Sequence, residues 1–404
     1  MKHRLISVTG AVGLLAAASL ALAACSTGGG GGTGGSDSGA EGGAASGEPI
    51  KVGAVASLSG SSAFPEATQA AQAVFDRFNE EGGLDGRPIE YTVIDDKADP
   101  ETSSSAARDL VGDGAVAMVG SSSLLECQIN AGFYEEEGIV SIEGVAVDPQ
   151  CFDSPVIAPT VVGPYGDTEL SLTYGSEELG LERICAIIET AGSTAPAYDE
   201  AVKRWSEATG KELAFYDSSL PYGLGDYTPY AVKVKDQNCD GVLVGMIEPD
   251  ALGFLKAAKA QGLEDVTFLS LTTVYTEAFA EAAGGMVGDG LYVPAEFAPF
   301  NEESEETADW RELMEANDIP LTSFGQAGYL AATFFLEGLQ GIDGDVTRES
   351  VKEALTTMPP VENPMIGNPW EFGNTPNRSG WPVVLKSGET VWAKAADDWI
   401  HLPE

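Results

Sequence analysis

Three closely spaced carboxylates are the most conspicuous possible metal ligands in this sequence. The segment Asp95 to Asp99 (DDKAD) has the DDxxD spacing that can hold magnesium when it lies on a helix. Here it follows the alternating, strand-like pattern of residues 89–94 and runs into Pro100, which disfavours a helix through the carboxylates. We therefore expect no catalytic metal at this segment.

Histidine, the side chain used most often for proton transfer in catalysis, is almost absent. His3 and His401 are the two histidines, and His3 lies in an N-terminal segment that we expect to be removed. A catalytic triad or a zinc site is not expected from His401 alone. GxSxG, P-loop and CxxC motifs are also missing from the sequence. We predict a protein that is not an enzyme and needs no cofactor, and an enzyme that relies on carboxylates alone is the least favoured alternative.

The N-terminus has the pattern of a secretion signal. Lys2 and Arg4 precede an uncharged run from Leu5 to Ala24, which ends in small residues before Cys25. The stretch Leu22 to Cys25 (LAAC) resembles the bacterial lipobox, which implies removal of a signal peptide, residues 1–24, and lipidation of Cys25. A transmembrane anchor is the alternative, but a run this short and this rich in Ala and Gly spans a bilayer poorly.

Residues 25–48 form a predicted tether behind this cysteine. The stretch is almost entirely Gly, Ser, Thr and Ala, so it cannot bury apolar surface and is expected to lack a fixed structure. Such a tether has a typical reach of roughly 25 Å. We expect an extracytoplasmic protein, held by its lipid at the outer face of the cell membrane.

The charge of the chain excludes two classes of partner. Removal of residues 1–24 takes away Lys2 and Arg4, which leaves 19 basic against 63 acidic side chains and a formal charge of −44. Nucleic acid and anionic membrane surfaces both require clustered Lys and Arg. Because the acidic residues are spread along the chain, they indicate a solvated surface, and we expect a monomer.

Four cysteines remain beside Cys25, an even number that favours two disulfides in a secreted protein. Of the three possible connectivities, we favour Cys127 with Cys151 and Cys185 with Cys239. Cys185 lies in a predicted strand and Cys239 directly precedes another, so neighbouring parallel strands could bring the two within reach. Buried free thiols are the alternative.

Strand and helix patterns alternate along the chain in two series, which predicts α/β architecture with parallel sheets. The first series has strands at 50–58, 88–96, 115–119 and 139–142, with helices from Pro65 and at 101–112 and 124–137. After the Pro- and Gly-marked passage 158–167, the second has strands near 183–188, 212–216, 241–247 and 266–270 and helices near 196–208, 228–236, 250–261 and 276–283. Helices at 303–316, 323–339 and 347–357 precede a β-rich tail with four tryptophans: Trp370, Trp381, Trp392 and Trp399.

Several fragments of the mature chain resemble the leucine/branched-chain amino-acid-binding family. They are IKVG at 50–53 with SLSG at 57–60, NEEGGLDGRPI at 79–89, DD at 95–96 with DP at 99–100, VGSSS at 119–123, GDYT at 225–228 and AGYLAA at 327–332. The resemblance implies the type I periplasmic-binding-protein fold, with two doubly wound lobes joined by three hinge crossovers. The implied division is 49–163 plus 295–362 for lobe 1 and 164–294 plus 363–404 for lobe 2.

Ligands of open parallel sheets lie beyond the carboxyl ends of the strands, and helix N-termini there supply N–H groups. Six loops follow predicted strands: 59–65, 121–125, 143–147, 190–195, 246–248 and 271–275. Together with the family positions, they give the candidate ligand-binding residues Phe64, Ser121, Ser122, Ser123, Val145, Thr194, Glu248, Thr272 and Tyr275. Helix capping by the serines, core packing by Phe64 and simple exposure of Glu248 are the alternatives.

The resemblance implies a solute-binding lipoprotein that delivers a small molecule to the permease and ATPase subunits of an ABC importer. A ligand sensor that signals to a receptor kinase or chemoreceptor is the alternative. Two departures from the family bear on the ligand, because Val147 stands where a carboxylate-binding hydroxyl is expected and Thr272 where the ammonium-binding acid is expected. The sequence therefore favours a neutral or weakly anionic organic solute, aromatic ones included, over leucine.

Overall fold

The computed structural model describes residues 45–59, 63–190, 194–373 and 377–402. The predicted signal peptide, Cys25 and most of the tether lie outside these ranges. Within them, no helix is both long and apolar enough to cross a membrane.

The first sheet is parallel and is built from the first strands of the chain. Its strand order is β2-β1-β3-β4-β5. The strands are β1 (Ile50–Ala56), β2 (Ile89–Asp95), β3 (Ala117–Ser121), β4 (Val140–Glu143) and β5 (Ile157–Pro159). The helices between them are α1 (Pro65–Glu80), α2 (Pro100–Gly112), α3 (Glu126–Glu137) and the short α4 (Gln150–Asp153).

The second sheet is mixed, with a parallel centre and antiparallel strands at one edge. Its order is β12-β11-β10-β9-β8-β6-β7, and β13 pairs with β11. The strands are β6 (Ile184–Glu189), β7 (Phe215–Leu220), β8 (Gly241–Gly245), β9 (Thr267–Ser270), β10 (Gly290–Ala295), β11 (Ser379–Leu385), β12 (Ala393–Lys394) and β13 (Ile400–His401). Its helices are α5 (Gly163–Thr173), α6 (Ala195–Thr209), α7 (Thr228–Asp236), α8 (Glu248–Ala260) and α9 (Glu277–Ala283).

The burial of their residues distinguishes the central strands of the second sheet from its edge strand. Every residue of β6 and of β8 is buried, as expected for strands of a parallel sheet that is covered on both faces. The edge strand β7 is only half-buried over most of its length. The core therefore runs through the middle strands of each sheet and the helices that cover them.

The chain passes between the two sheets three times. It leaves the first sheet after β5 and enters α5, which packs on the second sheet. It returns after β10 through α10 (Ala308–Ala316), α11 (Ser323–Gln340) and α12 (Arg348–Thr357), which pack around the first sheet. The third passage runs from Trp370, whose ring stacks on Phe334 of α11, to β11 in the second sheet.

The predicted α/β class is confirmed, and three elements differ from the sequence prediction. Strand β7 begins at Phe215 rather than residue 212, because the apolar residues before it pack beside the core without joining the sheet. Helix α5 occupies part of the passage expected to be a linker, since its nearly uniform burial leaves no helical period to detect. Helix α10 begins at Ala308, five residues later than predicted.

Helices α1 and α11 pack closely because small residues face each other. Ala67, Ala70 and Ala71 of α1 are buried. On α11, a Cβ atom placed on Gly328 would lie 1.8 Å from the backbone oxygen of Ala67. Because the clash is with backbone, it cannot be relieved by turning a side chain.

We predict that Gly328→Ala lowers the free energy of unfolding by about 1 to 3 kcal/mol, the usual cost of overpacking a core. Urea denaturation measures this. Gly132→Ala is the matched control, because Gly132 is an exposed residue of α3 with no atom near its added Cβ. The control is expected to gain up to about 1 kcal/mol from helix propensity. Equal stability of the two variants would contradict the close helix contact.

Candidate functional site

The carboxyl ends of the two sheets approach each other at the loop after β4. The hydroxyl of Tyr165, on α5, donates to the backbone oxygen of Val147 across 2.8 Å. The Tyr165 ring also contacts Phe152 and Tyr198, with ring centroids 5.9 and 4.9 Å apart. Because Val147 lies in the loop between β4 and β5 of the first sheet and Tyr198 lies on α6 beside the second, residues that flank both sheets meet here. This junction and the strand ends around it form the candidate site.

The serine loop, Ser121 to Ser123, is held mainly by bonds within the protein. Ser121 Oγ accepts a hydrogen bond from the backbone N–H of Val55 at 3.3 Å, and the Ser123 hydroxyl donates to the Asp96 carboxylate. The Ser122 hydroxyl is buried and has no partner among the described residues. Of the three predicted ligand-binding hydroxyls, that of Ser122 is therefore the one that makes no hydrogen bond to a described residue.

The acidic segment after β2 has structural partners. Asp96 also accepts from the Ser57 hydroxyl at 2.8 Å, which ties the loop after β1 to the serine loop. Asp95 accepts from the backbone N–H of Leu58 at 3.0 Å. Asp99 caps α2 by accepting from the N–H of Thr102 at 2.8 Å. These three carboxylates position the edge of the first sheet.

A pair of buried carboxyls lies behind the serine loop. Glu126, the first residue of α3, is hydrogen-bonded to Glu143 at the end of β4. Burial raises the pKa of Glu126 to about 7 and that of Glu143 well above its ordinary value. Hydroxyl groups of Tyr134 and Ser141 donate to the pair. The pair keeps at least one proton at neutral pH and faces protein groups rather than a ligand.

A second carboxyl pair, which the sequence analysis missed, holds the loops at the edge of the second sheet. Glu189, the last residue of β6, accepts from the Tyr227 hydroxyl at 3.3 Å and from the N–H of Ile247 at 3.1 Å. Asp250 accepts from the N–H of Gly223 at 2.7 Å and is hydrogen-bonded to Glu189. Burial raises the pKa of Glu189 to about 8, whereas hydrogen bonds lower that of Asp250, so Glu189 carries the shared proton. In the sequence, the only indication of this pair is an acidic residue at the end of a predicted strand.

Thr272 and Glu248, the two predicted contacts that bear on the charge of the ligand, are both hydrogen-bonded to protein groups. The backbone N–H of Thr272 donates to Asp167 at 2.9 Å, and its hydroxyl donates to the backbone oxygen of Pro294 at 2.9 Å. Glu248 is half-buried and accepts from the Thr276 hydroxyl at 3.0 Å. Neither residue is a solitary group that projects into solvent.

The other predicted contacts divide between the site and the core. Phe64 precedes α1 and is half-buried, with its ring 4.5 Å from that of Phe324. Val145 is buried, and its N–H donates to the backbone oxygen of Ser121 at 3.0 Å. Thr194 is half-buried at the N-terminus of α6.

Tyr275 lies in the core of the second half. It is 2% exposed, its ring contacts Phe300 and Trp392, and its hydroxyl donates to Asn301. Tyr275 stays a predicted ligand contact, and its ring and hydroxyl are engaged by these protein groups.

Both predicted cysteine pairs lie within bridging range. The Cα atoms of Cys127 and Cys151 are 5.1 Å apart, and those of Cys185 and Cys239 are 5.9 Å apart. Cys127 lies on α3 and Cys151 on α4. Cys185 lies on β6 beside β8, which Cys239 precedes.

The most similar curated sequences and solved structures are binding proteins. The Leu/Ile/Val-binding protein of Escherichia coli (strain K12) is 28% identical over 222 residues, which cover 54% of this chain and 60% of that protein. That alignment spans less than two thirds of the relative. The Leu/Ile/Val-binding protein BraC3 of Rhizobium johnstonii is 24% identical over 321 residues, covering 76% of this chain and 83% of that protein.

Solved structures share the fold over nearly their whole length. A solute-binding protein from R. palustris in complex with 4-hydroxybenzoate has a TM-score of 0.73 at 19% identity, covering 88% of this chain and 98% of that one. The substrate-binding protein LivJ from Streptococcus pneumoniae, in complex with isoleucine, has a TM-score of 0.70 at 18% identity, covering 88% and 100%. These structures confirm the predicted type I periplasmic-binding-protein fold.

A family model described as periplasmic binding protein matches residues 49–388. The match includes β1 to β11 and every loop of the candidate site. It therefore covers the first sheet, the second sheet apart from β12 and β13, and the three crossings that join them. The chain belongs to the periplasmic binding protein family.

Proposed function

We propose that this protein captures a small organic solute between the carboxyl edges of its two sheets and delivers it to the permease of an ABC transporter. The observation that carries the proposal is the family match over residues 49–388, which includes both edges of the candidate site. Clefts between domains and strand ends of parallel sheets are the usual positions of small-molecule sites. The proposed contacts are Phe64, Ser121, Ser122, Ser123, Val145, Thr194, Glu248, Thr272 and Tyr275.

The solute class follows from the charges that the site can offer. A buried ammonium group requires an acidic partner, since an uncompensated buried charge costs several kcal/mol. Thr272 offers no carboxylate, and the oxygens of the Glu189 and Asp250 pair are bonded to protein groups. Glu248 is the single acid in the proposed contact set and is already bonded to Thr276. A neutral or weakly anionic solute is therefore favoured over an α-amino acid.

Aromatic surface near the junction supports the same class. Tyr165 and Tyr198 pack edge to face between the two halves, and Phe64 lies beside the loop after β1. Tyr222 is 47% exposed on the loop after β7, next to the Glu189 pair. Rings of this kind can stack against an aromatic solute.

The ligand class is tested by thermal shift against a panel of amino acids, aromatic acids, amides and polyols. A solute at about 1,000 times its Kd is expected to add roughly 4 kcal/mol to the free energy of unfolding. We expect the largest rise in melting temperature with an aromatic acid or another neutral or weakly anionic compound. A clear rise with micromolar leucine, isoleucine or valine would contradict the proposed class.

A pair of serine variants locates the site with the best compound of that panel. Ser122→Ala removes a hydroxyl without a described partner, so it is expected to weaken binding while the melting temperature of the free protein stays unchanged. Ser57→Ala, outside the proposed contacts, is the control: it loses a bond of 2.8 Å to Asp96 and is expected to cost about 1.5 to 3 kcal/mol of stability while affinity is retained. Unchanged affinity in Ser122→Ala would remove the serine loop from the site.

The anchor proposed at Cys25 predicts a change of cell fraction. Cys25→Ala removes the thiol that would carry the lipid, so the processed protein is expected to leave the membrane fraction. Ser26→Ala, at the next position of the tether, is the control and is expected to stay with the membranes. A processed Cys25→Ala protein that still sediments with membranes would disprove lipid anchoring.

We also propose that both cysteine pairs are oxidised in the exported protein. Each bond is expected to contribute roughly 2 to 4 kcal/mol to stability. Thiol titration of the unfolded, non-reduced Cys25→Ala protein is expected to detect no free thiol, and four after reduction. A free thiol before reduction would contradict the pairing.

A further inference from the structure

The three passages of the chain between the sheets are joined by hydrogen bonds at Glu296. This residue directly follows β10 and begins the second passage. Its Oε1 accepts from the backbone N–H of Gly163, in the first passage, at 2.6 Å. The side-chain amide of Asn377, which lies just before β11 in the third passage, donates to the backbone oxygen of Glu296 at 3.0 Å. One acidic residue thus contacts both other passages.

A second buried carboxyl connects this junction to the candidate site. Asp167 lies one helical turn after Gly163 on α5 and is 2% exposed, and Glu296 is 6% exposed. Asp167 Oδ2 accepts from the N–H of Thr272, a proposed ligand contact, at 2.9 Å. The Thr272 hydroxyl donates to Pro294, two residues before Glu296. The other oxygen of Asp167 is buried without a partner among the described residues.

The environment of the two carboxyls disfavours two negative charges. Burial raises the pKa of Asp167 well above its ordinary value, and the neighbouring charge of Glu296 raises it further. Burial also raises the pKa of Glu296, to about 7. A carboxyl whose pKa is raised by folding stabilises the fold below its ordinary pKa, and this contribution is lost as pH rises through the folded value. The contribution of the junction is therefore complete below about pH 4 and is lost progressively as pH rises from there through the folded pKa values of the two carboxyls.

Other titratable groups around the junction belong to the neighbouring elements. The Tyr198 phenol on α6 faces Asp167, and burial holds its pKa well above the ordinary value, so it stays neutral. On α5, Glu169 forms an ion pair with Arg204 of α6 at 2.9 Å. Arg378 follows Asn377 in the chain and lines the same surface groove as Glu169.

We propose that Asp167 and Glu296 act as a pH-dependent clasp, which holds the three passages together and positions Thr272 at the ligand site while at least one of the two carboxyls keeps its proton. Loss of the proton places two carboxylates in one dry site, and the second charge is stabilised only if the junction opens to water. Opening breaks the bonds from Gly163 and Thr272. The proposal rests on the solute-binding function for its purpose, but its test uses the ligand-free protein.

The test is amide hydrogen exchange of the purified protein, corrected for the intrinsic pH dependence of exchange. Protection at Gly163 and Thr272 is expected to fall between about pH 6 and about pH 9, with a limiting slope of about tenfold per pH unit for the loss of one proton. Glu296→Gln keeps an oxygen that can accept from Gly163 but cannot ionise. In this variant, protection at both amides is expected to vary much less over that range.

Glu143→Gln is the matched control, because it removes a buried carboxyl from the other pair, Glu126 and Glu143, and leaves the junction intact. It is expected to retain the wild-type profile at Gly163 and Thr272. If Glu296→Gln does not fold, Asp167→Asn takes its place, and carboxyl ¹³C shifts of the wild-type protein detect the titration directly. A flat wild-type profile, a junction variant with the wild-type slope, or ¹³C shifts that show both carboxyls ionised at pH 6 would overturn the clasp.

Discussion

The shortage of cations is the constraint on which the interior of this protein depends. The sequence has 63 acidic and 21 basic side chains, and seven of the nine acidic residues buried among the described residues accept hydrogen bonds from hydroxyl or backbone N–H groups rather than from Lys or Arg. A buried carboxylate without partners is too costly to keep, so it must be bonded or protonated. Asp96 accepts from serine hydroxyls, Asp250 accepts from a backbone N–H, and Glu126 and Glu143 keep a proton.

This solution places the acidic groups at the ends of strands, where the loops of the candidate site begin. Glu143 ends β4 and Glu189 ends β6, and each is bonded to the loops or helices beside it. The buried carboxyls therefore act as fixed hydrogen-bond acceptors for groups in these loops. The polar groups at this rim are largely occupied, so in the function we propose a few hydroxyls, backbone amides and aromatic rings are left to recognise the solute.

The strands that could be predicted from the sequence are those that are apolar along their whole length. Burial on both faces gives each of them a short apolar run, and turn or helix patterns on either side mark where the run ends. β8 and β9 were placed within a few residues for this reason. β7 was misplaced because an edge strand has no such run, and α5 was missed because burial all around removes its period. Hydroxyls such as Ser121 could be assigned to a loop but not to a partner, because partners far apart in sequence are set by the three-dimensional fold. Glu189 and Asp250, 61 positions apart, are such a case.

The contact between α1 and α11 also governs when the protein can fold. The helix that covers β3 and β4 comes from residues 323–340, after most of the second sheet has been encoded. A growing chain that ends before Gly328 has strands 50–159 but lacks one of their covers, so its apolar face stays open. Contacts this distant in sequence slow folding. Until that helix has been made, the apolar face of β3 and β4 is open to contacts with other chains.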